Sequence, residues 1–344
     1  MPETGCPKLM EFGPCGGVTL DGACEVGPQP CVFVDRPTVR WSGDPADRAG
    51  PAQLTPGAAR MRALLTRRPV VVADFPGRAL DAGSLATCAR TLAGRVDAVM
   101  VGDSGQARVQ FPPVYRAQLI QQEGVAVWSG INCRDRNRVA IEGELAALAH
   151  LGVAAVHCVT GDHTLTGHRP DARPVFDLDS TRTAYLAHSL GHLVSVAEAP
   201  ATPPVGGRPA RLVEKLRAGA EVCFVNHAGG AGPVGEFIDR TRELGATAGF
   251  VPCVPAVFDH PSAQLLASFT TLVLPDGYLD GILAAADPRE AGIRAAASLA
   301  GDFLALDGVV GVNLSGGPGP GGELAFAEAL AELADAVEVS PAGS

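Results

Sequence analysis

No run of 18 consecutive apolar residues occurs in the sequence, so no segment reads as a membrane-spanning helix. The N-terminus, MPETGCPKLMEFGPCGG, lacks both the basic start and the apolar run of a secretory signal, and the chain is read as cytoplasmic. Positive charge is also scarce. Lys and Arg total 27 against 37 Asp and Glu, a net charge of −10, and no basic cluster interrupts the acidity. Such a surface repels a phosphate backbone, which argues against nucleic acid as a partner. At 344 residues the chain accommodates one large domain and a small appendage.

What is present is uneven. Nine cysteines in a reducing compartment suggest thiols or metal ligands rather than disulfides. Four of them, Cys6, Cys15, Cys24 and Cys31, fall in the first 31 residues at spacings x8, x8 and x6, embedded in Gly and Pro. Residues 1–35 hold too few large apolar side chains to bury a core, so their order must come from elsewhere. A bound metal would suffice, because its binding free energy becomes folding free energy. Four thiolates with Gly-Pro-Cys-Gly-Gly turns suit a tetrahedral site for zinc or an iron–sulfur cluster, although the CxxC pair that would favour either is missing. Residues 36–60, rich in Pro, Gly, Ala and Asp without an apolar period, read as a linker, and 61–340 as the catalytic domain.

From Arg68 onward short β-branched runs alternate with amphipathic stretches. The strand candidates are Val70–Asp74, Asp97–Asp103, Val125–Ile131, Val153–Thr160, Leu193–Glu198, Glu221–Asn226, Gly249–Val254 and Val309–Leu314. Helices are predicted between most of them, among them Arg136–Leu151, with Asp135 as its cap, and Ser180–Leu190 behind Asp179. Continuous runs such as VVVA and VAAVHCV suit strands covered on both faces, as parallel strands are. Eight βα units predict a closed (β/α)₈ barrel of the TIM type, with an open doubly wound sheet as the alternative.

In such a barrel the chemistry gathers at the carboxyl ends of the strands. Those ends carry Asp74, GDSG (102–105), NCRDRNR (132–138), TGDH (160–163), Glu198 and NHAGG (226–230), and a last loop, SGGPGPGGE (315–323), precedes the final helix. A glycine-rich loop there serves either as a plain connection or as a phosphate cradle.

CRDRNR (133–138), VTGD (159–162) and PVFDLDS (174–180) together resemble the signature of the methylenetetrahydrofolate reductase family. SVAEAP, LVEKLRAGAEVCFVNH (212–227) and FVPCVPAV (250–257) follow in the family's order, so the resemblance spans roughly residues 68–335. It implies a (β/α)₈ barrel, a flavin on the strand ends, and reduction of 5,10-methylenetetrahydrofolate to 5-methyltetrahydrofolate. The N-terminal CPKLMEFGPCGGVTLDGACEVGPQPCVF is similar to the cysteine-rich segment known as that family's C-terminal domain, here preceding the barrel. The resemblance further implies NAD(P)H or a reduced ferredoxin-type donor, with an electron-donor protein as a partner, and leaves a homo-oligomer open.

The chemistry assigns roles. Opening the methylene bridge requires a proton donor followed by hydride delivery to carbon. Asp74, in VVVADFPGR, stands where the family carries a Glu and is the candidate acid; a capping or salt-bridged carboxylate is the plainer reading. Asp162 matches the family's Asp beside flavin and pterin. Asn226 aligns with a family Gln that contacts folate, and ends one methylene short of it; His227 follows as a further substrate contact or a structural hydrogen-bonder. Asn132, Arg134, Thr160, Gly161, Asp162, Asp177 and Tyr185 are the cofactor-binding candidates. The cations of CRDRNR pair with Asp162 or Asp177, or meet a cofactor phosphate.

Two departures from the family bear on the flavin. Gly130 replaces a customary His, and APATPPVGGRP (199–209) replaces the usual Pro-Glu-x-His loop. FAD, FMN, or direct hydride transfer from a nicotinamide all remain open. So do two other functions on the same scaffold: a folate-dependent one-carbon transferase, and a folate-binding or electron-transfer partner subunit.

Overall fold

The computed structural model describes residues 5–43, 53–103 and 107–337. A short antiparallel hairpin, β1 (Ala23–Cys24) and β2 (Gly27–Pro30), lies in the N-terminal module and is followed by α1 (Pro56–Leu65). The expected start of the catalytic domain at residue 61 thus falls inside a helix.

Eight parallel strands then alternate with helices. They are β3 (Val70–Asp74), β4 (Ala98–Val101), β5 (Val127–Asn132), β6 (Ala155–Val159), β7 (Val194–Glu198), β8 (Val222–Val225), β9 (Gly249–Pro255) and β10 (Gly311–Ser315). Between the first five run α2 (Ala82–Leu92), α3 (Pro113–Gln121), α4 (Arg138–Leu151) and α5 (Ser180–Ser189). After β7 come α6 (Arg208–Arg217), α7 (Ala231–Glu243), α8 (His260–Ala267), α9 (Tyr278–Leu283), α10 (Pro288–Leu304) and α11 (Glu323–Ala336). Each strand pairs with its successor, and β10 pairs back with β3, closing the barrel. The eight predicted strands and the (β/α)₈ class are those observed, and the open sheet is excluded.

Local chemistry explains the elements. Strands such as VVVAD are β-branched and buried, inward side chains alternating with outward ones as the pleat requires. Asp179 caps α5 by accepting the N–H groups of Thr181 and Arg182. The cap of α4 is Asn137, whose Oδ1 accepts Ala140 N–H at 3.1 Å, and not Asp135. Asp135 is unavailable because its carboxylate is taken by the Arg134 guanidinium.

Two cores result. Inside the barrel, Val70, Val72, Ala98, Met100, Trp128 and Phe224 pack together with Ala58 and Met61 of α1, which plugs the amino-terminal end. The buried indole of Trp128 donates to Ser195 Oγ at 2.7 Å, so its one polar atom is satisfied. A larger apolar layer lies between the strands and the surrounding helices. With α1 filling one end, open space is left at the carboxyl ends of the strands. Among the described residues no helix is long and apolar enough to cross a membrane.

The N-terminal module sits over that carboxyl end and packs on the barrel through Phe12 and Trp41. Met10, Phe12, Val18 and Phe33 are buried, each worth roughly 1.5–3 kcal/mol for a large side chain. Polar ties fix the docking. Arg182 pairs with Glu11 at 2.7 Å, Arg208 Nη1 donates to Cys15 O at 2.9 Å, and Trp41 N–H donates to Glu214 at 2.6 Å.

Candidate functional site

A cavity of about 430 Å³ opens at the carboxyl ends of β4 to β8, within the usual range of small-molecule sites, roughly 300–1,000 Å³. Its floor includes Met100, Gly130, His157 and Ala197. Small residues create the space: a Cβ on Gly130 would stand 2.9 Å from Gly102 Cα and 3.2 Å from Val101 O. A side chain is sterically excluded there.

One wall is a carboxylate–amide–carboxylate row: Asp103 after β4, Asn132 at the end of β5, and Asp162 after β6. Asn132 Nδ2 and Gln110 Nε2 both donate to Asp103, and the buried Arg134 Nη2 reaches Asp103 Oδ2 at 3.0 Å. Asn132 Oδ1 in turn accepts Asp135 N–H at 3.3 Å. Asp162 is the exposed member, with Arg108 Nη1 at 3.5 Å, while Arg108 Nη2 donates to Thr166 Oγ1 at 3.1 Å. Thr160 Oγ1 accepts Ser180 N–H at 3.2 Å and donates to Met10 Sδ, locking the loop to the module.

The opposite wall holds Glu198, Lys215 and Asn226. Lys215 Nζ, buried, donates to Ala197 O at 2.6 Å and forms an ion pair with Glu198 Oε1 at 2.6 Å, and Arg208 Nη1 lies 3.6 Å from Glu198 Oε2. Burial holds the Lys215 ammonium below the usual lysine range, and the Glu198 charge opposes that. His157, hydrogen-bonded through Nδ1 to Ser195 Oγ at 2.8 Å, is pushed down to about 3 by burial and by Lys215, and is neutral. Lys8, Cys15, Gly16 and Gly17 of the module, with Phe269 beyond α8, close the cavity above.

Of the residues singled out in the sequence, Asn132, Arg134, Thr160, Gly161, Asp162 and Asn226 line this cavity together. Cys15 of the four-cysteine set lines it too, whereas Asp74, His227, Asp177 and Tyr185 stand outside its lining. Asp74 lies towards β10, its Oδ1 accepting Asn313 Nδ2 at 2.9 Å and its Oδ2 accepting Gly316 N–H at 3.1 Å. Burial raises its carboxyl above the ordinary range, against the lowering effect of those hydrogen bonds. His227 is buried, held neutral near 4, with Phe269 tilted 6.3 Å from its ring. Asp177 accepts Arg138 N–H at 2.8 Å, at the start of α4. Tyr185 packs against Trp41, ring centroids 5.6 Å apart, beneath the module.

Asp103, Arg108, Lys8 and Lys215 were not singled out. Asp103 carried a signal, since it ends a strand in GDSG. Lys215 had none, because a Lys on an amphipathic helix reads as solvent-facing. Asp162 pairs with Arg108 at 3.5 Å, while Arg134 of CRDRNR pairs with Asp103 and Asp135. The last loop carries Gly317, Gly319 and Gly322 at the GxGxxG spacing, but it is no phosphate wall of this cavity. Its Gly316 N–H is taken by Asp74, and Gly322 N–H by Gly319 O.

Cys6, Cys15, Cys24 and Cys31 are half-buried. Burial raises the thiols of Cys6 and Cys31, and their neighbouring thiols add to it. A metal centre needs thiolates in one coordination shell, and among the described residues no three His, Cys, Asp or Glu side chains are so gathered. A flavin is also poorly served in the two segments where the family normally touches it. Gly130 admits no side chain, and in the 199–209 loop Arg208 is spent on Thr202 O, Pro203 O and Cys15 O.

Comparison with known proteins adds the following. Residues 1–39 match the family model described as methylene-tetrahydrofolate reductase C terminal. No curated protein matches the chain. Among solved structures, an uncharacterized protein from Clostridium thermocellum that binds two copies of 5-methyl-5,6,7,8-tetrahydrofolic acid is 11% identical. The match covers 79% of this chain and 97% of that one at a TM-score of 0.58, a likeness of fold. A 2,3-dimethylmalate lyase is 14% identical over 75% of this chain and 80% of that one, TM-score 0.44. A lyase/mutase from Burkholderia cenocepacia J2315 is 16% identical over 80% and 84%, TM-score 0.46, and neither bears on function. The protein is thus a closed (β/α)₈ barrel that carries at its N-terminus a module similar to the methylenetetrahydrofolate reductase C-terminal family.

Proposed function

We propose that this chain is a methylenetetrahydrofolate reductase-type protein that binds a reduced folate in the barrel-mouth cavity and reduces 5,10-methylenetetrahydrofolate to 5-methyltetrahydrofolate. The observation that carries the reading is the Asp103–Asn132–Asp162 row. A pteridine edge presents N–H donors beside ring acceptors, which carboxylates and an amide satisfy together. The module on residues 1–39 supports the same reading, as does the folate bound by the Clostridium thermocellum neighbour.

The chain's own residues bind, orient and protonate. The buried Arg134 fixes the orientation of Asp103 and Asp135, so the wall is preorganised. The bridge nitrogen leaves as an amine only when a proton arrives, and Asp74, its carboxyl raised by burial, is the candidate donor. The hydride comes from a reduced nicotinamide or another donor, and no step here runs through a flavin.

A folate-dependent one-carbon transfer is the second reading. It is favoured by one observation: the Asp74 carboxylate is engaged by Asn313 and Gly316 and stands outside the cavity lining. Calorimetric titration with 5-methyltetrahydrofolate, followed by a reduction assay with NADPH and methylenetetrahydrofolate, tests both. Binding without reduction favours the second; no binding removes both.

A further inference from the structure

The cysteine-rich module is more than a neighbour of the cavity. Lys8, Cys15, Gly16 and Gly17 line it, facing Gly161 and Asp162 of the barrel. Lys8 is 3% exposed, and its Nζ lies 2.6 Å from Glu25 Oε1. Glu25, with its side chain 2% exposed, also accepts His163 N–H at 2.7 Å, so the pair is bolted to the loop that presents Asp162. Glu25 Oε2 is buried without a hydrogen-bond partner. A Cβ on Gly17 would stand 1.8 Å from that oxygen, so a side chain at 17 would displace the Glu25 carboxylate from its place beside Lys8.

An ammonium has three donors. Glu25 is its ion-pair partner, and Lys8 is one of the residues lining the space that receives the ligand. A buried cation is costly to desolvate unless it is paired. Its place in the cavity wall is explained if ligand acceptor atoms complete its shell.

Resting on the reading given above, we propose that the module supplies part of the folate site itself. Lys8 is a ligand-contacting residue, and the Cys15–Gly16–Gly17 turn is a wall against which the reduced folate packs. The module is then required for affinity, independently of any electron-transfer role.

Three measurements test this on the full chain. Hydrogen–deuterium exchange with and without 5-methyltetrahydrofolate should show ligand protection in residues 12–19 as well as around 160–163. Protection confined to the barrel loops overturns the proposal. Gly16→Leu is the occlusion variant, chosen because a Cβ there meets nothing within 4 Å. Its affinity should fall at least about tenfold, the effect of one lost contact of about 1.4 kcal/mol, with an unchanged melting temperature; undiminished affinity overturns the proposal. Lys8→Gln with Glu25→Gln removes both charges together and should also weaken binding about tenfold while circular dichroism stays native; parent-like affinity overturns the contact assigned to Lys8. Absence of any heat of binding in the parent chain overturns the folate reading itself, which separates that failure from this one.

Discussion

Gly102 and Gly130 approach so closely across β4 and β5 that a Cβ on Gly130 would stand 2.9 Å from Gly102 Cα. The cavity reaches into the barrel at this point, and backbone rather than a flexible side chain would have to move to admit anything larger. Gly130→Ala is expected to destabilise by about 1–3 kcal/mol, the usual cost of overpacking, and to weaken ligand binding. Urea unfolding and titration check it; a variant of parental stability removes the steric argument.

Asp162 is the exposed end of the polar wall, with Arg108 as its partner. Asp162→Ala should leave the fold intact, since the Asp162 side chain is more than half exposed and Arg108 keeps Thr166 Oγ1 as a partner. Its folate affinity should fall roughly ten- to hundredfold, the scale of a charged hydrogen bond. Titration of the variant with 5-methyltetrahydrofolate decides.

Asp74 separates the two functional readings. As the acid of a reductase, Asp74→Asn should lose 10²–10⁴-fold in turnover at near-parental affinity while Asp74→Glu keeps activity. Asn turnover equal to the parent's would leave Asp74 a structural acceptor for Asn313 and Gly316.

His157 and His227 carry a pH dependence of stability. Burial holds both folded-state values low, near 3 and near 4, below the ordinary 6.5. The unfolded chain therefore binds these protons first, so the stabilisation is complete above pH 6.5 and is lost as pH falls towards 3–4. The slope is up to about 1.4 kcal/mol per pH unit for each group. Replacing His157 by Gln should flatten the decline in denaturant unfolding measured from pH 7 to pH 4.

Lys215 and Glu198 form a buried ion pair at 2.6 Å. Lys215→Met leaves Glu198 buried with only Arg208 near, and is expected to cost about 3–5 kcal/mol. Adding Glu198→Gln should recover part of that loss in thermal unfolding. An undiminished deficit in the double variant would show that packing of the lysine stem, not charge, is what was removed.

How much was legible in advance follows from the range of the forces involved. Strand and helix positions are local: VVVAD is β-branched wherever it stands, and eight such runs separated by helices leave few ways to bury both faces. The strand-end polar residues Asn132, Thr160 and Asp162 were visible for the same reason, since a strand's end is a sequence position. The cap of α4 was misplaced from Asn137 to Asp135, because competition from the Arg134 side chain is invisible in a string of letters. What only tertiary structure decided is which distant groups share one space. Lys8 and Asp162 are separated by most of the first half of the chain, and Lys215 sits on a helix whose pattern suggests solvent. Their meeting depends on barrel closure and on the module docking over α5 and α6. Those long-range burial events, rather than local propensity, bring the charged groups into a single cavity.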